Sequence, residues 1–240
     1  IRPYVEECIQ FASEHPTLTF LVTRIGCGIA GFTDEDISPL FEKAHDVENI
    51  VLPPGWKKLR LMSNKVNIEI ISARPEDADF IAWIVAQGMH MDGVPPFLKK
   101  HGARDDTLYS WQNTRLLRCD GKLAGGLISY DGATHEERRR NTWVMPDGRQ
   151  FNSGDVPETM AGEYYLDSLA IVPEFRGQGL WKLLFDDAIE TAKEKGFHRV
   201  TLICEESYPK LAHLYTSYGF VPENTIMFFE TLCRKMSLSI

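Results

Sequence analysis

Residues 163–185 read EYYLDSLAIVPEFRGQGLWKLLF, and the rest of the chain is organised around them. Tyr164 to Val172 is apolar and β-rich, interrupted only by Asp167 and Ser168, and spells a buried strand. Pro173 ends it, because proline cannot donate to a ladder inside a sheet. Arg176, Gly177, Gln178 and Gly179 form a tight turn, after which Leu180, Leu183, Leu184, Ala188 and Ala192 recur at helical spacing. A strand that feeds such a turn into a helix leaves amide N–H groups without intrahelical partners, and the helix dipole favours an anion beside them. The other reading of this turn is an ordinary tight connection.

A second stretch narrows the choice. Residues 211–220, LAHLYTSYGF, form an amphipathic helix ending at Gly219, a residue suited to a left-handed C-cap. Together the two stretches resemble the GNAT superfamily of acyl-coenzyme A N-acyltransferases: Leu166–Ile171 (LDSLAI), Pro173–Gly179 (PEFRGQG) and Leu214–Phe220 (LYTSYGF) follow its pattern in order and spacing. The resemblance covers residues from about 66 to 240. It implies an α/β fold, a mixed α+β sheet of six or seven strands, and an acetyl-CoA-dependent N-acetyltransferase that passes the acetyl group directly to a primary amine in a ternary complex.

That chemistry needs a held thioester, a neutral amine and a proton for the departing thiolate. The resemblance puts the pyrophosphate of acetyl-CoA on the amides after Arg176, through Gly177, Gln178, Gly179 and Leu180, where a Cβ would block close approach. The pantetheine arm would run along Leu169, Ala170, Ile171 and Val172, in a splay between that strand and Val200–Cys204. Trp181 stands where the family carries a small residue, and either narrows the cleft or points outward. Tyr208 stands where the family often has a cofactor-contacting asparagine. Tyr215 aligns with the tyrosine that serves as general acid; Tyr218, three residues on, is the other tyrosine that could face the core. For the base, Glu163 and Asp167 lie four residues apart on one strand face, Asp167 is the first choice, and Glu205 is a third candidate. His90, Met91, Asp92, Trp111, Tyr130 and residues 131–161 are wall material for the acceptor, a small molecule or a peptide amine. A non-catalytic acyl-CoA or nucleotide sensor that has kept the fold is the competing reading.

Composition sets outer limits. Formal charge is −8 with 26 Lys and Arg against 34 Asp and Glu, which argues against a nucleic-acid surface. No apolar run approaches membrane-spanning length, so no membrane partner is expected. Cys8, Cys27, Cys119, Cys204 and Cys233 are scattered without CxxC pairs, and the histidines lack HxxxH spacing. This reads as reduced thiols in the cytoplasm with no metal site. No signal peptide is legible, and the start at Ile1 leaves the native beginning open. A homodimer is also left open.

Residues 1–56 stand outside the acyltransferase pattern as an α-β-α-β segment: a helix from Pro3 to Glu14, a strand Thr19–Ile25, a helix from Thr33 to Lys43, and a strand Asn49–Leu52. Gly26–Gly31 matches GxGxxG between strand and helix, with Asp46 or Glu48 as the acidic ribose partner. FLVTRIGCGIAG is similar to a stretch of bacterial macro-like nucleotide-binding modules; the alternative is a structural remnant or docking element. Residues 57–65 are a polar, basic linker. Beyond it the pattern predicts a strand Val66–Ser72, a helix from Pro75 to about Met89, helical pieces at Phe97–His101 and Thr107–Trp111, and a hairpin of Arg115–Cys119 with Lys122–Tyr130. The insertion 131–161 carries a turn at Pro146-Asp147-Gly148 and the run Arg138, Arg139 and Arg140, a solvated helix face or a contact for a phosphate or acidic acceptor. A strand Arg199–Glu205 and a helix Pro209–Tyr218 follow. Phe220–Val221 and Met227–Met236 close the sheet as a hairpin around Pro222–Thr225.

Overall fold

The computed structural model describes residues 2–25, 32–53, 56, 66–144 and 157–240. The Gly26–Gly31 run, the linker 57–65 and the expected turn at Pro146-Asp147-Gly148 lie outside the described residues. The chain divides into two compact units, one of Ile1–Asn67 with Pro173–Leu180, the other of Ile68–Val172 with Trp181–Ile240.

In the first unit, helix α1 (Arg2–Glu14) buries Val5, Ile9 and Ala12, the i, i+4, i+7 face that its sequence predicts. Strands β1 (Phe20–Leu21) and β2 (Ile50–Val51) pair in parallel, Phe20 opposite Ile50. Helix α2 (Asp34–Ile37) starts from a capping box in which Thr33 and Asp36 exchange side-chain and backbone hydrogen bonds. One helix through Lys43 is not what forms. Pro39 has no N–H to give and its ring crowds the preceding turn, so the chain continues as 3₁₀ from Ser38 to Asp46, with Phe41 non-helical. Ile37, Phe41, Ala44, Leu52 and Trp56 complete the core around α1. Asn49 fastens it: its side-chain amide donates to the carbonyls of Ala12, His15 and Leu18 at 2.9, 3.0 and 2.8 Å. Those are carbonyls at and beyond the end of α1, where intrahelical partners run out.

The second unit is built on a seven-stranded sheet in the order β3-β4-β5-β6-β7-β9-β8. The strands are β3 (Ile68–Ser72), β4 (Thr114–Cys119), β5 (Lys122–Asp131), β6 (Tyr164–Ile171), β7 (Arg199–Glu205), β8 (Val221–Phe228) and β9 (Thr231–Ser239). Every neighbouring pair is antiparallel except β6 with β7. Helix α3 (Ala78–Gly88) follows a 3₁₀ turn, Pro75–Asp77, in which the Arg74 amide donates to the Asp77 carboxylate at 2.8 Å, and lays Ile81, Ala82, Ile84, Val85 and Ala86 into the core with Leu116, Ile128, Tyr130 and Tyr165. Short helices α4 (Pro96–Gly102) and α5 (His135–Thr142) precede β4 and follow β5. Helix α6 (Leu180–Glu194) carries Asp187, which grips Arg115 of β4 through two hydrogen bonds of 2.8 and 2.9 Å. Helix α7 (Pro209–Tyr218) follows β7 and ends at Gly219, whose φ of 122° is one that side chains avoid.

Thr107–Ser110 is not helical and only a 3₁₀ turn, Trp111–Asn113, follows: Thr107 Oγ1 donates to His101 O, the Gln112 amide donates to Ser110 Oγ and Asn113 Nδ2 donates to Leu108 O, which takes over backbone groups a helix would need. The last hairpin does not turn at Pro222–Thr225. That stretch is a bulged part of the exposed edge strand β8, where proline is tolerated. The chain turns instead at Phe229–Glu230, with φ of 43° and 63°, between the closing pair Phe228 and Thr231.

Asn49→Ala leaves carbonyls of the α1 exit without their donor and should cost the first unit about 1–3 kcal/mol. Amide hydrogen exchange checks this: α1 should lose protection while α3 and β5 keep theirs.

Candidate active site

The site begins with a fault in register. Along β5 and β6 the pairing runs Ser129 with Leu166 and then Ile128 with Ser168, so Asp167 has no opposite residue. This is a β-bulge, and a bulge bends its strand and interrupts pairing. Strand β6 keeps only two partners on β7, Tyr164 with Val200 and Tyr165 with Thr201. From Leu166 onward the two parallel strands are no longer paired. Leu202–Glu205 pair only with β9, on their far side.

The bulge also decides where Asp167 and Ser168 point. Ser168 faces α3, where Gly88 lacks the Cβ that would stand 3.3 Å from the serine side chain. Asp167 lies on the same side, receiving the Tyr130 hydroxyl at 2.6 Å and the Ser168 hydroxyl at 2.7 Å. Burial raises the Asp167 carboxyl to about 6, with the Glu158 carboxylate adding to the rise and the Tyr130 and Ser168 hydroxyls and His135 opposing it. A carboxylate tuned to that range accepts a proton near neutrality.

Glu163, four residues earlier and immediately before β6, has a different environment. It is buried against Lys235 Nζ at 2.8 Å, receives Thr159 Oγ1 and the Met160 amide, and meets Arg199 Nε at 3.3 Å. Burial pushes its carboxyl up, but Lys235 and the hydrogen bonds outweigh that and hold it below the ordinary range. Glu205 is partly buried and accepts Ser207 Oγ at 3.0 Å.

The two tyrosines of α7 part company. Tyr215 is buried, its ring stacked on Phe185 at 5.8 Å and tilted against Phe220. Burial, helped by Cys204 of β7, pushes its phenol well above the ordinary value, so it stays protonated at neutral pH. Tyr218 is half-buried and gives its hydroxyl to Asp186. Trp181 lies against Phe185 and Tyr218 at 5.3 and 5.6 Å, an indole engaged along the α6–α7 contact. Tyr208 caps α7 and stacks on His90 at 4.3 Å. In the turn before α6, Gly177 and Gly179 adopt φ of 74° and 71°, and a Cβ on Gly179 would meet no atom within 4 Å. The glycines are there for backbone conformation and leave the approach open.

Of the expected acceptor wall, Tyr130, Met91 and Trp111 pack in or against one aromatic core, whereas Asp92 is exposed and His90 is engaged by Tyr208. Arg138 donates to the carbonyls of Asp105 and Thr107, and Arg139 and Arg140 pair with Glu136, which uses the arginine run within the structure. Several contributors were not singled out from sequence: Ser168, Glu158, His135, Tyr165, and Phe229, which sits edge-on to Trp143 at 4.9 Å. The one legible signal was the polar pair Asp167-Ser168 inside an otherwise apolar strand.

A mixed sheet whose single parallel pair opens beside a strand–turn–helix is an acyltransferase architecture. An N-acetyltransferase from Staphylococcus aureus Mu50 shares the fold with a TM-score of 0.61 at 21% identity, over 71% of this chain and all of that one. A second acetyltransferase structure gives 0.59 at 24% identity, over 72% and 99%. Residues 90–220 match the Acetyltransferase (GNAT) family, and the chain belongs to that family. A Bacillus subtilis (strain 168) protein provisionally named ribosomal protein bS18-alanine N-acetyltransferase is 39% identical over 158 residues, covering 66% of this chain and 83% of that protein. The chain is thus an N-acetyltransferase. The family match starts at residue 90, so the likeness of residues 1–56 to a macro-like module gains no support from it.

Glu163→Gln should destabilise the second unit by about 3–5 kcal/mol, because Lys235 is left buried without its counter-charge. The folded carboxyl lies below its ordinary 4.5, so its contribution is complete above that pH and fades as pH falls through the lowered value. Urea titrations of both proteins should accordingly differ most at pH 7 and converge only as pH falls below 4.5 and through the lowered value.

Proposed function

We propose that this chain transfers the acetyl group of acetyl-CoA directly to the α-amine of a protein or peptide N-terminus. The observation that carries the transfer reading is the opening of β6 from β7 beside Asp167. Unpaired strand edge is what an extended amide-bearing pantetheine arm needs, and Leu169–Val172 offers it as a pseudo-partner. The amides of Gly177, Gln178, Gly179 and Leu180 take the pyrophosphate, which the positive φ of both glycines favours.

Asp167 takes the proton of the attacking amine as the C–N bond forms. Tyr215 gives its proton to sulfur as the C–S bond breaks, and regains one from solvent before the next turnover. Glu163 is the weaker candidate for the base, since an ion-paired carboxylate held below its ordinary range has little proton affinity to offer. The preference for a protein N-terminus over a small amine rests on the name of the Bacillus subtilis relative, and such an acceptor would be met in the cytoplasm. We divide the chain accordingly into a segment 1–56, a linker 57–65 and a catalytic domain 66–240.

Calorimetric titration with acetyl-CoA should give micromolar binding that Gly179→Glu abolishes, through repulsion of phosphate and strain at a positive φ. Tyr215→Phe should keep that binding and lose about 10²–10⁴-fold in kcat. An alanine-initiated peptide should be acetylated faster than spermidine or a free amino acid. Equal or better turnover of the small amines would overturn the acceptor assignment, and an unaffected Gly179→Glu would overturn the phosphate site.

A further inference from the structure

Behind Asp167 lies a second buried carboxylate that the acetyl-transfer reading does not use. Glu158 arrives on the segment that follows α5 and sits inside the unit, receiving Tyr165 Oη at 2.7 Å and meeting His135 Nε2 at 3.3 Å. Tyr165 is on β6, two residues before Asp167. Tyr130, which donates to Asp167, lies with its ring 5.7 Å from that of Tyr165 and 6.2 Å from that of His135. Two carboxylates therefore flank one layer of aromatic rings. We propose that Glu158 is a positioning residue for the reaction, its charge holding Asp167 in readiness to accept the amine proton; this rests on Asp167 being the base.

The charge of Glu158 is only partly offset: His135 lies against it and Arg139 feels its field, yet Glu158 raises the Asp167 carboxyl by more than His135 lowers it. His135 is buried, and among the described residues its Nδ1 has no hydrogen-bond partner. The groups that face Asp167 are Tyr130 from β5, Ser168 and Tyr165 from β6, Tyr109 from the segment before β4, His135 from α5, and Glu158. Only Glu158 among them carries a negative charge. Like charges across a poorly solvated layer resist joint ionisation, which favours the protonated form of whichever is the weaker acid. Burying a carboxylate costs more than burying an apolar residue, and the Tyr165 hydroxyl and His135 ring beside Glu158 offset part of that cost.

The test is the acid limb of kcat/KM against pH, measured with acetyl-CoA and an alanine-initiated peptide. Glu158→Gln should move that limb acidward by on the order of one unit and lower the plateau several-fold, since a weaker base accepts less readily. Glu158→Asp, which keeps the charge, should return the limb toward the wild-type position. If Glu158→Gln does not fold, Glu158→Met combined with Tyr165→Phe removes the carboxylate together with the hydroxyl it would strand, and the same acidward shift is expected. A folded variant of either kind with an unmoved limb overturns the proposal. Asp167→Asn separates the two readings: loss of the acid limb with Glu158→Gln unchanged sinks only the role of Glu158. An Asp167→Asn enzyme that keeps the limb and full turnover removes the base assignment beneath it.

Discussion

One extra residue in β6 governs the second unit. A strand that ran in register past Asp167 would pair with β7 for its full length and close the sheet. Because Asp167 has no opposite number on β5, the strand bends, β6 and β7 part after Tyr165, and a stretch of strand edge is left open in the middle of a seven-stranded sheet. Open edges are ordinarily a liability confined to the rim. Here the rest of the architecture sustains one at the centre. Strand β5 pairs with β6 from Gly125 opposite Ile171 to Asp131 opposite Tyr164, and β9 pairs with β7 along its whole length, so each half is held from its outer side.

The same stretch of chain shows how partners, more than burial, assign a carboxylate its role. Glu163 and Asp167 share a face and both leave bulk water. Lys235 meets the first; two hydroxyls and a second carboxylate meet the other. The first is an anion locked into a structural pair, and the second is poised to change its charge. Desolvation acts on both in the same direction, so the sign of the net shift is set by the neighbours. Those neighbours lie on β9, on β5 and beyond α5, up to 72 residues away in the chain.

That separation explains what could be read from the sequence. The strand, glycine turn and helix of residues 163–185 were legible because each is encoded locally: apolar run, proline stop, glycine pair, helical spacing. The hairpin at Asp120-Gly121 and the helix ending at Gly219 were legible for the same reason, with φ of 50° and 77° at the first and 122° at the second. The choice among Glu163, Asp167 and Glu205 was not, since it depends on Lys235, Tyr130 and Glu158. The bulge was half legible, as a polar pair in an apolar strand whose register only the sheet defines. The turn at Phe229–Glu230 could not have been found by turn chemistry. Pro222-Glu223-Asn224-Thr225 offers better turn residues, and the left-handed φ values of Phe229 and Glu230 cost energy that side-chain packing on Trp143 and Phe228 offsets.

Trp181 was the residue most at odds with the family pattern, and its neighbours give it a constructive part. Trp181, Phe185, Tyr215, Tyr218 and Phe220 form one aromatic group between α6 and α7. Tyr218 is fixed at its outer end by Asp186, and Phe185 stacks on Tyr215 at its inner end. A proton donor must be held in one rotamer to serve a leaving group at hydrogen-bond distance, and among the described residues no hydrogen bond orients the Tyr215 hydroxyl. Its orientation comes from the ring, gripped by Phe185 and Phe220, which Trp181 and Tyr218 buttress in turn. Bulk at position 181 therefore buttresses the helix pair that carries the proposed acid, a use of volume that sequence comparison alone reads only as an obstruction.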